Sequence, residues 1–593
     1  MRTAIKSLIA LSLIAGCAAE ESSDDDDDTP GTGGSSGAAQ SGSSGTGPKA
    51  GTGGTGVAGS AGSGTSGSAG SVNAGSGGGG AGVSNTGGSS SGSGGSGVAG
   101  SAAGTAPVAG AAGTGVAGGG AGGTDPAGGT GGTPAGGTSG ASGASGSGGS
   151  GGGMDGGFVS CPYTPPADPS GNNAVVGEMV TFNDDGAWTW YCDERAVVDA
   201  AGGKIIVSSD ANGSSRNGNV DAVVYDVATK MSTRKALGDL APDDHNVAAL
   251  LVKPDGKYLA AWAGHNENCN TYWSNHDGSQ WENQKTFSWS SIGCPTSSGR
   301  SVTYNNLWNM TAENKIYNIV RSRDTSPNIL TSSDNGATWT LGGRLTFSAT
   351  VGYVAGYYKY WGNGVDRIDF FGTEAHPRDN DNSLWHGYVK GGKSYNSLDE
   401  VKDENITDNT GPDVNAFTRV FATGTTVNNE RFNHMWNSDV MRYDDGVVAA
   451  IGMGRTQNDG TNPDHSFLYF RFSGGEWKTT YLGKAGKKLY SDEQDYVGLG
   501  ALHPNDQRIV YISTPIDPRS GMNLSNHEIF MGVTCDEGAT FQWSPITWNS
   551  QQKNIRPIVP KWDGNNMVVL WNRGTYDTAQ IYNMDVVGVV TQN

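Results

Sequence analysis

The chain has 593 residues, with 58 acidic against 38 basic side chains and a formal net charge of −20. Such an acidic protein repels nucleic acid, and no run of basic residues offsets the repulsion, so the composition argues against nonspecific nucleic-acid binding. An anionic ligand would have to be met by a local cationic pocket. Most of the 97 glycines precede residue 158, so the chain has two parts of different composition.

The first 17 residues, MRTAIKSLIALSLIAGC, place Arg2 and Lys6 before a short apolar stretch. That stretch is too short to span a membrane, and the final Ile-Ala-Gly-Cys resembles a bacterial lipobox. The resemblance implies cleavage before Cys17 and acylation of its thiol and of the new amino terminus. With Ala18 next, it implies an outer-membrane or cell-surface lipoprotein held by a lipid anchor; an ordinary cleaved signal peptide is the alternative.

Residues 18–157 consist almost wholly of Gly, Ser, Ala and Thr, with an acidic run at 24–28. Such a segment cannot bury enough apolar surface to offset its chain entropy. We therefore expect a disordered, flexible linker between the anchor and the remainder of the chain.

Residues 158–593 carry nearly all the aromatic side chains and form the expected folded domain. Short alternating runs recur there, each bounded by Gly, Asn, Asp or Pro, and no long segment keeps helical periodicity. The pattern predicts an all-β domain. The predicted strands cover residues 204–208, 222–226, 248–252, 258–262, 315–321, 367–371, 447–452, 467–472, 509–513 and 567–572.

Two histidines flank a predicted β-hairpin within residues 242–269. His245 precedes the first strand, the sequence Lys-Pro-Asp-Gly at 253–256 supplies the turn, and His265 follows the second strand. Both imidazoles are therefore expected at one edge of a sheet. Histidine titrates near neutral pH, so this pair suits proton-transfer chemistry; hydrogen bonding to loop backbone is the alternative role.

Five cysteines follow Cys17, and none has the spacing of a metal-binding motif. Export favours disulfides, and the shortest pairings are Cys269 with Cys294 and Cys161 with Cys192. Cys535 would then remain as a small buried residue.

Three octets, at 274–281, 332–339 and 534–541, resemble Asp-boxes, the S-x-D-x-G-x-x-W turns of sialidase-like propellers. In such a turn the Asp caps backbone N–H groups and the Gly takes a positive φ. The octet starts are 58 and 202 residues apart, which suggests one and four blades of about 50 residues. We predict a seven-bladed β-propeller.

Several segments between residue 243 and the C-terminus carry a family resemblance. They are 244–246, 263–266, 357–360, 366–368, 373–378, 382–386, 495–498, 554–560 and 571–576. These segments resemble the BNR-4 repeat family, which includes propeller polysaccharide lyases acting on ulvan. The resemblance implies a lyase of uronate-containing anionic polysaccharide, with a sulfated, ulvan-like polymer as one candidate.

The resemblance also implies the catalytic groups, which are His245, His265, Tyr304 and Arg321. A lyase must neutralise the uronate carboxylate, remove the adjacent ring proton and protonate the departing oxygen. Proton abstraction is assigned to His245 or Tyr304, and carboxylate neutralisation to His265 and Arg321. A tyrosine acts as base only if nearby cations lower its pKa. Arg323 follows the same strand and competes with Arg321.

Candidate substrate-binding residues are Tyr358, Lys359, Tyr360 and Arg378, which offer stacking faces and cations for anionic sugars. Strand alternation puts at least one of the tyrosines in the blade core. The proposed chemistry requires no cofactor.

His376 and His386 flank a turn and are candidate ligands of a structural metal, zinc or calcium. Irregularly spaced histidine pairs more often have a structural role.

The sequence is therefore consistent with three functions. The first is a surface-tethered, monomeric polysaccharide lyase with an anionic polysaccharide as its partner. The second is a glycoside hydrolase of sialidase-like fold, which would need three arginines around one carboxylate and a Tyr/Glu nucleophile pair. The third is a non-catalytic glycan-binding propeller.

Overall fold

The computed structural model describes residues 163–213, 215–265, 267–294, 302–347, 356–457, 462–564 and 566–592. Within these ranges the regular structure is strand, apart from six three-residue 3-10 turns. None of the described helices is long and apolar enough to cross a membrane. Cys17 and the predicted linker lie outside the described residues.

The described residues form seven sheets arranged as the blades of a β-propeller, which confirms the predicted all-β, seven-bladed fold. Blade 1 consists of Ala196–Asp199, Lys204–Asp210, Asn219–Asp226 and Met231–Asp239. Blade 2 consists of Ala249–Val252, Tyr258–Trp262, Asn270–Asn275 and Lys285–Ser288. Blade 3 consists of Thr303–Met310, Lys315–Arg321, Pro327–Ser332 and Thr340–Arg344.

Blade 4 is larger and consists of Tyr358–Gly362, Arg367–Gly372, Leu384–Lys390, Lys393–Asn396, Val401–Asp403 and Thr418–Phe421. Blade 5 consists of Asn433–Arg442, Val448–Gln457, Asp464–Ser473 and Glu476–Gly486. Blade 6 consists of Gly500–Leu502, Ile509–Ile516, Asn523–Val533 and Gln542–Pro545. Blade 7 consists of Lys553–Ile558, Met567–Thr578, Ile581–Thr591 and Met179–Asn183.

Two small sheets lie outside the blades. They pair Ala174–Val175 with Thr547–Trp548, and Thr426–Val427 with Glu430–Arg431. The 3-10 turns are Asp244–Asn246, Ser290–Ile292, Thr311–Glu313, Arg323–Thr325, Ile406–Asp408 and Val414–Ala416. Each predicted strand overlaps an observed one and extends beyond it by at most one residue.

The blade strands are rich in branched apolar residues because each blade of the ring packs against a neighbouring blade on both faces. In the strand Lys204–Asp210, Ile205 and Ile206 point to opposite faces and enter different apolar clusters. Both side chains are fully buried. A strand with two buried faces carries a continuous apolar run, because strand side chains alternate between the faces.

The first and last strands that belong to blades close the ring. Met179–Asn183 pairs antiparallel with Ile581–Thr591, so that Val180 lies opposite Gly588. This pairing completes blade 7 with a strand from the other end of the domain. It satisfies backbone groups that an open ring would leave as a sheet edge.

The three octets are hairpin turns between the third and fourth strands of blades 2, 3 and 6. Asp334 and Asp536 each accept a backbone N–H four residues ahead, at 2.9 and 2.8 Å. Asp277, one position later in its octet, accepts from the backbone N–H of Gln280 at 2.9 Å. The glycines that follow have φ of +106°, +81° and +87° in chain order. The last interval spans three blades, not four, because blade 4 carries extra strands.

The disulfide prediction is confirmed in one part and wrong in another. Cys269 and Cys294 form a disulfide. Cys192 is free and buried, whereas Cys535 is disulfide-bonded. Cys192 lies in the central core, with its Sγ 3.9 Å from the carbonyl oxygen of His245, and burial raises the pKa of its thiol to about 12. Short separation in sequence was a poor guide here, because Cys192 points into the propeller.

The histidines and the octets lie at opposite ends of the blades. His265 follows the strand Tyr258–Trp262, and the next strand, Asn270–Asn275, runs antiparallel to it toward the turn at 276–281. The end that carries His245 and His265 is called the histidine end below, and the other is called the turn end.

Candidate functional site

The two histidines come together as the hairpin predicts. His245 lies in the 3-10 turn Asp244–Asn246, just before the inner strand of blade 2, and His265 follows the strand paired with it. Their rings stack with centroids 4.3 Å apart and an interplanar angle of 15°. The backbone N–H of His265 donates to the side-chain oxygen of Asn246 at 2.6 Å, which fixes one loop against the other. Both rings are almost fully buried.

The carboxylate of Asp243 bridges the two imidazoles. Its Oδ1 lies 2.6 Å from Nδ1 of His245, and its Oδ2 lies 3.0 Å from Nδ1 of His265. Gln580 donates to the same Oδ2 at 2.7 Å. Burial alone would raise the pKa of Asp243, but the adjacent His245 and His265 hold it well below its ordinary range. The ionised carboxylate therefore orients both rings through Nδ1, which leaves each Nε2 for other contacts.

A second carboxylate supports His245 from the centre of the propeller. Oδ1 of Asp244 lies 2.7 Å from Nδ1 of His245, and its Oδ2 accepts from the hydroxyl of Tyr576 at 2.6 Å. The Arg556 guanidinium donates to that same oxygen. Burial opposes ionisation of Asp244, but Arg556 and His245 lower its pKa. Nε2 of His245 lies 3.0 Å from the hydroxyl of Tyr496, so the protein engages both ring nitrogens.

Tyr304 and Arg321 meet beside this pair. Thr303 lies opposite Arg321 in the register, and the β-bulge that follows places Tyr304 at a left-handed φ of +57°. Non-glycine residues seldom adopt this conformation, and those that do are found more often at functional sites. The Arg321 guanidinium carbon lies 4.5 Å from the Tyr304 ring centroid, and that ring lies 5.7 Å from His245.

Tyr357 completes the group from blade 4. Its hydroxyl accepts from Arg321 at 3.4 Å, and its ring lies 6.0 Å from the Tyr304 ring. A cavity of about 20 Å³ adjoins Tyr304, Arg321 and Tyr357.

The arrangement thus places the Arg321 guanidinium, the phenol rings of Tyr304, Tyr357 and Tyr496 and two carboxylate-bound imidazoles in one cluster. Such a group can neutralise an anion and move a proton. Residues 190–485 match a family model described as "BNR repeat-containing family member". No curated protein matches the chain by sequence.

Solved structures similar to this propeller include an ulvan lyase bound to -[GlcA(1-4)Rha3S]-, with 13% identity, a TM-score of 0.48, and coverage of 69% of this chain and 95% of that one. The NanB sialidase from Streptococcus pneumoniae has 10% identity, a TM-score of 0.35, and coverage of 72% and 71%. The alpha-L-arabinofuranosidase of Fusarium graminearum has 10% identity, a TM-score of 0.34, and coverage of 70% and 98%. Likeness at these values carries no information on activity.

Three of the predicted substrate-binding residues lie inside the fold. Nζ of Lys359 donates to the carbonyl oxygen of Trp190 at 2.6 Å and to Oδ1 of Asp193 at 2.5 Å, and the lysine is 2% exposed. Tyr358 and Tyr360 are buried in the apolar cluster of blades 3 and 4. Tyr358 and Tyr360 also line the small cavity beside Tyr304 and Arg321, and a substrate-binding role for the three residues stays a prediction.

Arg378 is positioned at the histidine end by an ion pair between blades. Its Nη1 donates to Glu493 at 3.1 Å, and its backbone oxygen accepts from Arg455 at 3.0 Å. Arg455 in turn forms an ion pair with Asp495, the neighbour of Tyr496. Arg378 therefore contacts the loop that carries Tyr496, and a substrate-binding role for it stays a prediction.

Arg321, and not Arg323, is the arginine of this strand that lies over Tyr304. The Arg323 guanidinium donates to the carbonyl oxygen of Ile292 at 3.4 Å. Arg321 therefore lies beside the histidines, and its role as the carboxylate-binding arginine stays a prediction.

His376 and His386 have separate surroundings. His376 lies against the rings of Tyr357 and Trp436, whereas His386 contacts Ser397 at 2.8 Å through Nδ1 and Asp369 at 3.2 Å through Nε2. Neither joins a group of three or more candidate metal ligands among the described residues. A structural zinc or calcium at this pair stays a prediction.

Within the described ranges the single such group is Asp243, His245 and His265. Its contacts of 2.6 and 3.0 Å are those of hydrogen bonds, since two ligands of a tetrahedral zinc with bonds of about 2.0–2.1 Å lie about 3.3 Å apart.

Several groups around the histidines were not assigned a role from the sequence, namely Asp243, Asp244, Tyr357, Tyr496, Arg556 and Tyr576. The pair Asp243-Asp244 immediately before His245 was a usable signal, since metal-free imidazoles are often oriented by a neighbouring carboxylate. Tyr496, Arg556 and Tyr576 lie within segments that carried the family resemblance.

Proposed function

We propose that the domain is a polysaccharide lyase that cleaves a uronate-containing anionic polysaccharide by β-elimination. The observation that supports this most is the contact between Arg321 and Tyr304 beside the paired histidines. β-Elimination needs a cation for the carboxylate, a base for the ring proton and an acid for the leaving oxygen. This group offers all three within one site.

In the proposed reaction, Arg321 and His265 neutralise the uronate carboxylate, which makes the proton on C5 more acidic. A base takes that proton, the electron pair forms the C4–C5 double bond, and the bond from C4 to the glycosidic oxygen breaks. The departing oxygen receives a proton from an acid of the site. The products are an unsaturated uronate and a new hydroxyl end, so no water is consumed.

The geometry favours Tyr304 over His245 as the group that meets the C5 proton. His245 is engaged at Nδ1 by Asp243 and at Nε2 by Tyr496. The Arg321 guanidinium carbon lies 4.5 Å from the Tyr304 ring centroid, so this phenol lies beside the cation proposed to hold the uronate carboxylate. We assign His245 to charge stabilisation and proton relay through the Tyr496 hydroxyl.

The test is to incubate the domain with a panel of uronate polysaccharides and to follow the ultraviolet absorbance of unsaturated products. Tyr304→Phe keeps the ring and deletes the hydroxyl, so we expect a loss in kcat of about 10²- to 10⁴-fold with little change in KM. His265→Ala should raise KM as well as lower kcat, because its contact with the carboxylate exists in the ground state.

Other products would point to other functions. Cleavage that yields only saturated ends would identify a hydrolase, and binding without cleavage would identify a glycan-binding propeller. If Tyr304→Phe and His265→Ala both keep wild-type activity on the polysaccharide that is cleaved, the site lies elsewhere on the domain.

We also propose that lipidation of Cys17 holds the domain at the bacterial surface, on the basis of the lipobox-like sequence. Cys17→Ala should then release the protein from the membrane fraction. Retention of that variant in the membrane fraction would contradict the proposal.

A further inference from the structure

A second cavity lies at the turn end of the propeller. Its volume is about 330 Å³, and its lining includes Leu250 and Val252 in blade 2 and Trp308 in blade 3. The inner strand Ala249–Val252 begins near His245, so its last residues are those farthest from the histidines. The cavity is therefore separate from the candidate lyase site, although Trp190 and Arg556 reach both.

Glu194 offers a carboxyl group to this cavity. Its neighbour Asp193 is held by Lys359 at 2.5 Å and by Arg195 at 3.6 Å. Asp439, also in the lining, accepts backbone N–H groups from Val440 and Leu502 at 2.9 and 2.8 Å. Among the described residues, no hydrogen bond or ion pair engages the side chain of Glu194. It is partly buried, and it lines the cavity.

The remaining lining includes aliphatic side chains and four indole rings, those of Trp188, Trp190, Trp308 and Trp361. A ligand that suits such a site has an apolar body and one positive charge, since it would pair with the carboxylate and lie against aromatic faces. A neutral ligand would form no ion pair with Glu194, and an anion would be repelled by Glu194 and Asp439 whenever these carboxyl groups are ionised.

We propose that this cavity binds a small organic ammonium ion, with the carboxylate of Glu194 as its counter-ion and Trp308 and Trp361 as its walls. The proposal is independent of the lyase function, because none of these three residues belongs to the group around His245.

The electrostatics of Glu194 agree with this assignment. Burial raises the pKa of Glu194 to about 8, and Asp193 adds to the rise, while Lys359 and Arg195 oppose it and Asp439 raises it further. A bound cation favours the ionised form, so binding should release a proton below pH 8 and should strengthen as the pH rises toward 8. The other charged residues in the lining are Arg556, Lys561 and Asp563.

The test uses choline and its neutral isostere 3,3-dimethyl-1-butanol, titrated calorimetrically into the full chain. We expect choline to bind at least about tenfold more tightly than the alcohol. Glu194→Gln should weaken choline at least about tenfold and leave the alcohol unchanged. The matched control is Asp563→Asn, which removes an exposed carboxylate from the same lining and should change choline affinity by less than about twofold.

Thermal melting establishes whether each variant is folded. If Glu194→Gln does not fold, Trp361→Leu replaces it and should weaken choline several-fold with little effect on the alcohol. Absence of choline binding to the folded wild type overturns the proposal. Equal affinity for choline and the alcohol, or a folded Glu194→Gln variant that binds choline as the wild type does, also overturns it.

Discussion

Asp243→Asn tests whether the carboxylate that bridges the two imidazoles matters for activity. The substitution keeps the size of the side chain but replaces one oxygen with an amide nitrogen and removes the charge. His265 then loses its charged acceptor, whereas His245 keeps the carboxylate of Asp244 at 2.7 Å from its Nδ1. A hydrogen bond to a charged group contributes about 1.5–3 kcal/mol, and 1.36 kcal/mol corresponds to a tenfold change in rate. Loss of the charged bond to His265 predicts a fall in kcat of about 10- to 10²-fold.

The assay is the absorbance of unsaturated product on the polysaccharide that the wild type cleaves, with kcat and KM measured separately. Gln580→Leu is the matched control, because Gln580 contacts the same Oδ2 at 2.7 Å and its removal leaves the charge in place. We expect that control to lose less than about tenfold. A folded Asp243→Asn variant within about threefold of wild-type kcat would refute the reasoning.

Three further predictions concern stability. Asp334→Ala removes the acceptor of the blade 3 turn and should lower the free energy of unfolding by about 1–2 kcal/mol in urea titration while sparing activity; a stable but inactive variant would contradict this structural role. Lys359→Met leaves Asp193 without its nearest cation and should lower the free energy of unfolding by about 3–5 kcal/mol. A stable variant with a raised KM would instead support a substrate-binding role for Lys359. The pKa of Glu194, raised to about 8 by burial, means that the folded state keeps a proton that the unfolded chain loses above about pH 4.5, so stability falls as the pH rises between these values. Glu194→Gln should remove that part of the fall, and identical stability profiles of variant and wild type would contradict the assignment.

The elements that were predictable from the sequence are those set by local patterns. The hairpin of blade 2 is one, because the turn at 253–256 and two short apolar runs fix its register. That register brings His245 and His265 together regardless of the other blades. The positive φ of Gly256 agrees with the turn.

The orientation of a strand about its own axis was not predictable in the same way. Alternation puts Tyr358 and Tyr360 on one face and Lys359 on the other, but both faces of an inner strand are buried. Which face meets the neighbouring blade depends on packing across the ring. The residue that reaches Arg321 is Tyr357, one position before the three that were assigned to substrate.

The partners of the histidines were also beyond local reasoning. Tyr496 is 251 residues from His245, Arg556 is 312 residues from Asp244, and Gln580 is 337 residues from Asp243. Contacts over such separations are set by the order of blades around the ring. The local pattern of one sequence does not indicate which distant residues will meet in this way.

The strand that closes the ring has a consequence for how the protein is made. Val180 and Gly588 lie about 400 residues apart in sequence, yet they are partners in one ladder. During synthesis the segment Met179–Asn183 emerges first and must wait, unpaired, for Ile581–Thr591 to leave the ribosome. Blades 1 to 6 can form in order as they emerge, since each is built from consecutive strands, but blade 7 cannot. A ribosome-stalled chain that ends before Ile581 should therefore carry an exposed strand, open to proteolysis or to pairing with another copy, until the last eleven-residue strand arrives.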